Sequence, residues 1–313
     1  MRNAFIRTLI ERARVDKRVF LVIGDLGFGV VEGFAAEFPE RFVNAGVSEQ
    51  SMIGVAAGLA DSGYHPFVYS IANFPTFRCL EQLRNDVCYH KLPTTVVSVG
   101  AGFAYGALGY SHHAVEDAAV MRALPGMTVV SPADPWETSK ATLALADLSS
   151  PSYLRLGKAG EPVLPRGVAG HTFEIGVPIC YKKGKDTALL VMGSVLESAL
   201  EAAALLEAAG TAVPSVYSVH TVAPINSAAI REIAESHSLL VTIEEHSLTG
   251  GLGSALLELV CDLGIPTRLV RVGVADVLGI GSGSQSYLRS ASGISPPGIA
   301  DRVRASITSL GIQ

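Results

Sequence analysis

The sequence predicts an α/β fold of two domains, each a mostly parallel sheet covered by helices on both faces. Three observations carry that expectation. Short runs rich in β-branched and apolar residues alternate with amphipathic segments throughout, the pattern of parallel strands joined by crossover helices. The helical segments have recognisable ends. The alternation also breaks once, in a region of prolines, glycines and lysines, and then restarts.

The strand runs are Val19–Ile23, Thr94–Val99, Met127–Ser131, Thr187–Met192, Ser215–Ser218, Leu239–Ile243 and Arg268–Val272. Before the first lies a basic, amphipathic N-terminal segment. Glu11 and Asp16 argue against a transit peptide, and the segment runs straight into Val19, so it reads as a helix of the fold. Ser48 is a natural cap for a helix opening at Glu49. Asp134-Pro135-Trp136-Glu137 supplies an N-cap, a first-position proline and a reciprocal glutamate for another. A helix from about Leu196 should stop at Gly210, a left-handed C-cap. The break runs from Gly157-Lys158-Ala159-Gly160-Glu161-Pro162 to Lys182-Lys183-Gly184-Lys185. It places one domain at 1–165, a linker at 166–185 and a second domain at 186–313.

Composition narrows the function. The chain has 313 residues, 49% of them apolar and 17% charged, enough for a large core continued into a subunit interface. With a net charge of −5 and no basic run, it lacks the footprint of a nucleic-acid partner. No apolar run approaches the ~18 residues of a membrane span. Cys79, Cys88, Cys180 and Cys261 form no C-x-x-C pair, so buried free thiols in a reducing cytoplasm are expected.

Five stretches can carry chemistry. Glu49 sits where a carboxylate complements a helix dipole, which alone would explain it. His112-His113 opens a His-His-x-x-x-Asp string with no third strong metal ligand, so the chain has no metal site of its own. Phe74 and Phe77 read as core aromatics on their own. Gly24-Asp25-Leu26-Gly27-Phe28-Gly29 follows a strand, and Gly250-Gly251-Leu252-Gly253 opens a helix, but neither has the spacing of a dinucleotide or phosphate loop.

Taken together, these stretches resemble one family. Arg41-Phe42-Val43-Asn44-Ala45-Gly46-Val47-Ser48-Glu49-Gln50-Ser51-Met52 is similar to the pyrimidine-binding domain of transketolases, where the motif reads Arg-Phe-x-Asn-x-Gly-Ile-x-Glu-Gln-x-Met. Gly109-Tyr110-Ser111-His112-His113, then Pro125-Gly126-Met127 and Pro132-Ala133-Asp134, resembles the His-Gln loop and following segments of transketolases and deoxyxylulose phosphate synthases. The stretch from Val241 to Ala255 resembles the C-terminal domain of two-chain transketolases.

The resemblance implies thiamine diphosphate as cofactor and Glu49 as the catalytic glutamate that hydrogen-bonds the aminopyrimidine. It implies His112 as a catalytic histidine exchanging protons with substrate hydroxyls, with His113 beside it. Phe74, or failing that Phe77, would pack on the pyrimidine, and Asp25 would lie near the cofactor. For the substrate it implies a phosphate site at Arg2 and Lys158. Gly29, Gly100 and Leu108 stand where the family has a serine, a histidine and an aspartate. Those losses point away from the ordinary pentose phosphate pair, toward a branched, deoxygenated or unphosphorylated acceptor.

The Gly-Asp-Gly segment that holds the diphosphate and its Mg2+ is missing. The expectation is therefore the C-terminal subunit of a split transketolase, joined to an N-terminal subunit carrying that segment in an α2β2 heterotetramer. The beta subunit of a 2-oxoacid dehydrogenase is the alternative, although its usual Thr-Pro-x-x-Glu differs from Asn44-Ala45-Gly46-Val47-Ser48-Glu49. A non-catalytic homologue is a further one, against which Glu49 and His112 argue.

Overall fold

The computed structural model describes residues 1–165 and 172–311. Twelve strands follow in chain order. They are β1 (Val19–Ile23), β2 (Phe42–Asn44), β3 (His65–Ile71), β4 (Thr95–Val99), β5 (Thr128–Val130) and β6 (Ser152–Leu156), then β7 (Ile179–Lys182), β8 (Thr187–Met192), β9 (Ser215–Ser218), β10 (Thr221–Ala223), β11 (Leu239–Ser247) and β12 (Leu269–Val274). Seven form one sheet in the order β10-β5-β6-β4-β3-β1-β2, and five form another in the order β12-β11-β8-β9-β7. Every pairing is parallel except the edge pairs β10–β5 and β7–β9. Central strands such as β1, β4 and β8 are buried along their whole length, as sheets covered on both faces require.

Several expectations change. Residues 179–182, assigned to a linker from the surrounding glycines and lysines, form the edge strand β7, whose alternate residues face the core. Residues 166–171 of that linker lie outside the described residues. From the second half of the chain, β10 crosses back to pair with β5, so the first sheet is not built from the first half alone. β3 and β6 give no clear strand pattern because they carry buried polar groups. A hydrogen-bonded row satisfies these: His65 Nε2 lies 2.9 Å from Thr95 Oγ1, which lies 2.9 Å from Ser152 Oγ, across adjacent strands. Only Cys79 and Cys88 are buried thiols, while Cys180 is intermediate and Cys261 exposed.

Helix ends follow the local chemistry. Asp134 accepts from the Glu137 N–H at 2.7 Å and caps the helix Pro135–Ala146. Glu137 reaches back to the Ala133 N–H rather than to that of Asp134. Gly210 has φ +76° beyond the helix Leu196–Ala208. Ser48 does not cap. Its hydroxyl donates to the Ala45 carbonyl at 2.8 Å, leaving the start of the helix Glu49–Asp61 without a side-chain cap.

The two sheets share a core, since buried Val22, Val68, Val96 and Val129 belong to one apolar cluster with Leu190, Leu240 and Leu256. Polar groups cross the same seam. Arg155 on β6 donates to Asp117 at 2.8 Å and to the carbonyls of Ala114 and Glu245. Among the described residues, no helix is long and apolar enough to cross a membrane.

Candidate active site

Chain segments leaving the carboxyl ends of five neighbouring strands supply the candidate residues apart from Arg2, which opens the first helix. Asp25 follows β1, Glu49 follows β2, Phe74, Phe77 and Arg78 follow β3, the stretch from Gly100 to His113 follows β4, and Lys158 follows β6. In parallel sheets this rim is where ligands bind, because the helix-forming turns leave a crevice there.

Glu49 is the first residue of its helix and only 6% exposed. Its Oε2 accepts from the Arg78 guanidinium at 3.1 Å, and both residues line a cleft of about 400 Å³. The same guanidinium lies 4.1 Å from the centre of the Phe74 ring. The His112 ring also meets Phe74, edge-on at 5.4 Å between centroids. Glu49, Arg78, Phe74 and His112 therefore form one continuous row. Phe77, 38% exposed, lines an adjoining cleft of about 250 Å³ with Phe74, Tyr110 and His113.

The loop bearing the histidines is held from behind. Asn73 donates to the carbonyls of Ser111 and His113 at 3.1 and 2.9 Å. His113 is buried, with Nε2 3.1 Å from the Gly106 carbonyl and Nδ1 without a partner among the described residues. His112 is more open, its Nδ1 3.0 Å from Ser111 Oγ. Beneath the loop, the buried Glu245 carboxylate accepts from the Phe103 N–H at 2.8 Å, from Gln285 at 3.0 Å and from Arg289 at 2.6 Å. Gly102 must be glycine, with φ +62° and Glu245 filling the space a Cβ would need.

Other candidates lie further out. Asp25, at φ +56°, is tied to Asn44 through two hydrogen bonds of 3.0 and 2.9 Å. The Lys158 ammonium sits 4.9 Å from the centre of the Tyr105 ring, which lies 6.4 Å from His112. Arg2 is half-buried, with Nε lacking a partner among the described residues. Leu108 is exposed and lies outside the clefts that hold Glu49 and Phe74. Gly29 is exposed too, with φ +75° and open space beside it.

Sequence reasoning missed Arg78, Tyr105, Glu245 and the Asp117–Arg155 pair. For Arg155 a signal existed: a charge inside the apolar run Tyr153-Leu154-Arg155-Leu156 demands a buried partner. Arg78 gave none, since its carboxylate partner Glu49 lies in another segment.

Residues 1–160 match the transketolase pyrimidine-binding domain family, and residues 179–299 match the transketolase C-terminal domain family. One of the subunits of an apulose-4-phosphate transketolase from Phocaeicola vulgatus is 36% identical over 87% of this chain and 86% of its own length. The 6-deoxy-6-sulfo-D-fructose transketolase subunit SqwH from a Clostridium species is 33% identical over 94% of this chain and 90% of its own. Among solved structures, a split-gene transketolase described as an inactive beta4 tetramer superposes with a TM-score of 0.87 at 35% identity, covering 98% of this chain and 97% of that one. Because these relatives are separate transketolase subunits of similar length, the 2-oxoacid dehydrogenase alternative is disfavoured. The chain belongs to the thiamine-diphosphate-dependent transketolase family, as a subunit carrying the pyrimidine-binding and C-terminal domains of a split enzyme.

Proposed function

We propose that this chain activates thiamine diphosphate through Glu49 and acts only with a partner subunit. Together they transfer a two-carbon ketol unit from a ketose or ketose phosphate to an aldehyde. The observation that carries this reading is the Glu49 row. A buried carboxylate and an aromatic ring share one half-exposed guanidinium, which bridges them. An aminopyrimidine fits that arrangement, one ring nitrogen on the carboxyl group and its face on Phe74 or Phe77, with Arg78 displaced.

When bound, the cofactor supplies a thiazolium carbon that loses its proton and adds to the ketose carbonyl. Glu49 holds a proton at the pyrimidine 1′ nitrogen. Asp25, pinned by Asn44, shapes the rim beside it. His112 exchanges protons with substrate hydroxyls, a role worth ~10²–10⁴ in rate. His113, Arg2, Lys158 and the apolar Leu108 complete the substrate side.

The missing Gly-Asp-Gly segment supports a partner that holds the diphosphate and Mg2+. Similarity to a chain solved as an inactive tetramer of its own kind supports self-association within an α2β2 assembly. Cysteines that form no disulfide among the described residues support a cytoplasmic setting. The test is hydrogen–deuterium exchange at the thiazolium carbon of the assembled enzyme. In the Glu49→Gln variant, exchange should fall by about 10²–10⁴. Exchange at the wild-type rate would remove Glu49 from its role.

A further inference from the structure

The C-terminal half of the chain gives no side chain to the Glu49 row, yet it holds the loop on which His112 stands. That loop closes at its neck, where Gly102 and Ala114 exchange two backbone hydrogen bonds of 2.9 Å. One strand of the other sheet, β11, pins both stems. Glu245 Oε1 accepts from the Phe103 N–H at 2.8 Å, and the Ser247 N–H donates to the Val115 carbonyl at 2.6 Å. Further along, Gly106 lies so close to Leu288 and the Gly283 carbonyl that a Cβ would overlap both. The Gly106 carbonyl accepts from the Gly283 N–H at 3.2 Å and lies 3.1 Å from His113 Nε2. Leu288 belongs to the helix Gln285–Ala291, whose Gln285 and Arg289 donate to Glu245 at 3.0 and 2.6 Å. A strand, a helix and the stem of the histidine loop thus meet on one carboxylate, in a residue only 3% exposed.

We infer that Glu245 is a positioning residue for the reaction: its carboxylate fixes the stem of the histidine loop, and through that stem the place of His112 beside Phe74. The inference rests on the transketolase reading above and gives the C-terminal domain its part in it. Pairing with Arg289 alone would need no bond to the loop. Both Arg289 bonds fall on Oε2, whereas the Phe103 N–H goes to Oε1, so the two duties can be separated. A proton-exchanging group displaced by about 1 Å loses about 10²-fold in rate, so a slack stem should be visible in turnover.

The test uses the complex of this chain with its partner, as wild type and as two double variants, Glu245→Gln/Arg289→Met and Glu245→Met/Arg289→Met. Both remove the ion pair without leaving an unpaired buried charge, but only glutamine keeps an oxygen for the Phe103 N–H. Xylulose 5-phosphate and fructose 6-phosphate serve as ketol donors and glyceraldehyde as acceptor. With glutamine, kcat should stay within about threefold of wild type. With methionine at 245, kcat should fall about 10²-fold, while hydrogen–deuterium exchange at the thiazolium carbon stays within about threefold, because Glu49 stands outside the loop. Amide exchange over residues 103–113 of the complex should rise about tenfold with methionine alone. Gly102→Ala keeps both charges and crowds Glu245 Oε1, and should reproduce the methionine pattern even if that variant fails to assemble. Equal kcat in the two double variants, or loop amide exchange unchanged with methionine, would overturn the inference. Absence of ketol transfer from either donor in the wild-type complex would strike the transketolase reading instead, and amide exchange would still decide whether Glu245 holds the loop.

Discussion

Two groups of buried charge differ in how far their partners are sealed from solvent. At the seam between the sheets, Asp117 is 0% and Arg155 2% exposed, and Arg155 has a carboxylate and two carbonyls as acceptors. Tyr153 donates to the same carboxylate at 2.6 Å. At the rim, Glu49 is nearly as buried, yet the partner of its carboxylate is a guanidinium whose side chain is 52% exposed. The helix behind it has no side-chain cap. Both carboxylates keep acceptor capacity, since Asp117 Oδ1 is buried without a partner among the described residues. The sealed pair holds structure, whereas the carboxylate at an open cleft is available to a ligand.

Substitutions on the two sides should therefore fail differently. Glu49→Gln should cost ~10²–10⁴ in ketol transfer while the unfolding midpoint stays where it was. A lowered midpoint with activity lost in proportion would make Glu49 a structural residue and erase the contrast. Arg155→Met leaves the Asp117 charge buried and unpaired, which should destabilise by about 3–5 kcal/mol in denaturant unfolding. A loss below about 1 kcal/mol would mean that water reaches the seam.

A smaller effect concerns pH. Glu137 spans the seam, accepting from the Ala133 N–H at 2.7 Å, Tyr181 at 2.8 Å and Ser218 at 3.1 Å. Burial raises its pKa to about 7, partly offset by those bonds. Folded protein thus keeps a proton that the unfolded chain releases near the ordinary value of 4.5. The Glu137 contribution is fully present below that value and is lost as pH rises through about 7. Stability of wild type relative to Glu137→Gln should fall across this window by an amount on the order of 1–3 kcal/mol, and flatten above it. The opposite slope would show that Glu137 is ionised in the fold.

Much of this was legible in the sequence, because periodicity reports on burial. Seven strands were recognisable, because apolar and β-branched residues dominate them even where Ser98, Ser215, Ser218 or Arg271 interrupts. β3 and β6 were not, since His65 and Ser152 look like surface residues until their cross-strand partners are known, and Arg155 interrupts the apolar run of β6. β2 and β10 are three residues long, too short for a period to show. In the site, Glu49 and His112 stood out through the strings around them. Arg78 and Tyr105 did not, because their meaning lies in contacts that only the folded loops make: Arg78 on Phe74 and Glu49, Tyr105 in the space left by Gly100. Glu245 reads as one of two acidic residues in a strand, and only the geometry shows it beneath the histidine loop.

The central claim is that the rim around Glu49 is half of a cofactor site. Calorimetric titration with thiamine diphosphate and Mg2+ tests it most directly, using this chain alone and then mixed with its partner subunit. No stoichiometric, metal-dependent binding is expected for the chain alone, and one cofactor per pair of chains for the mixture. Stoichiometric, metal-dependent binding to the isolated chain would contradict the account.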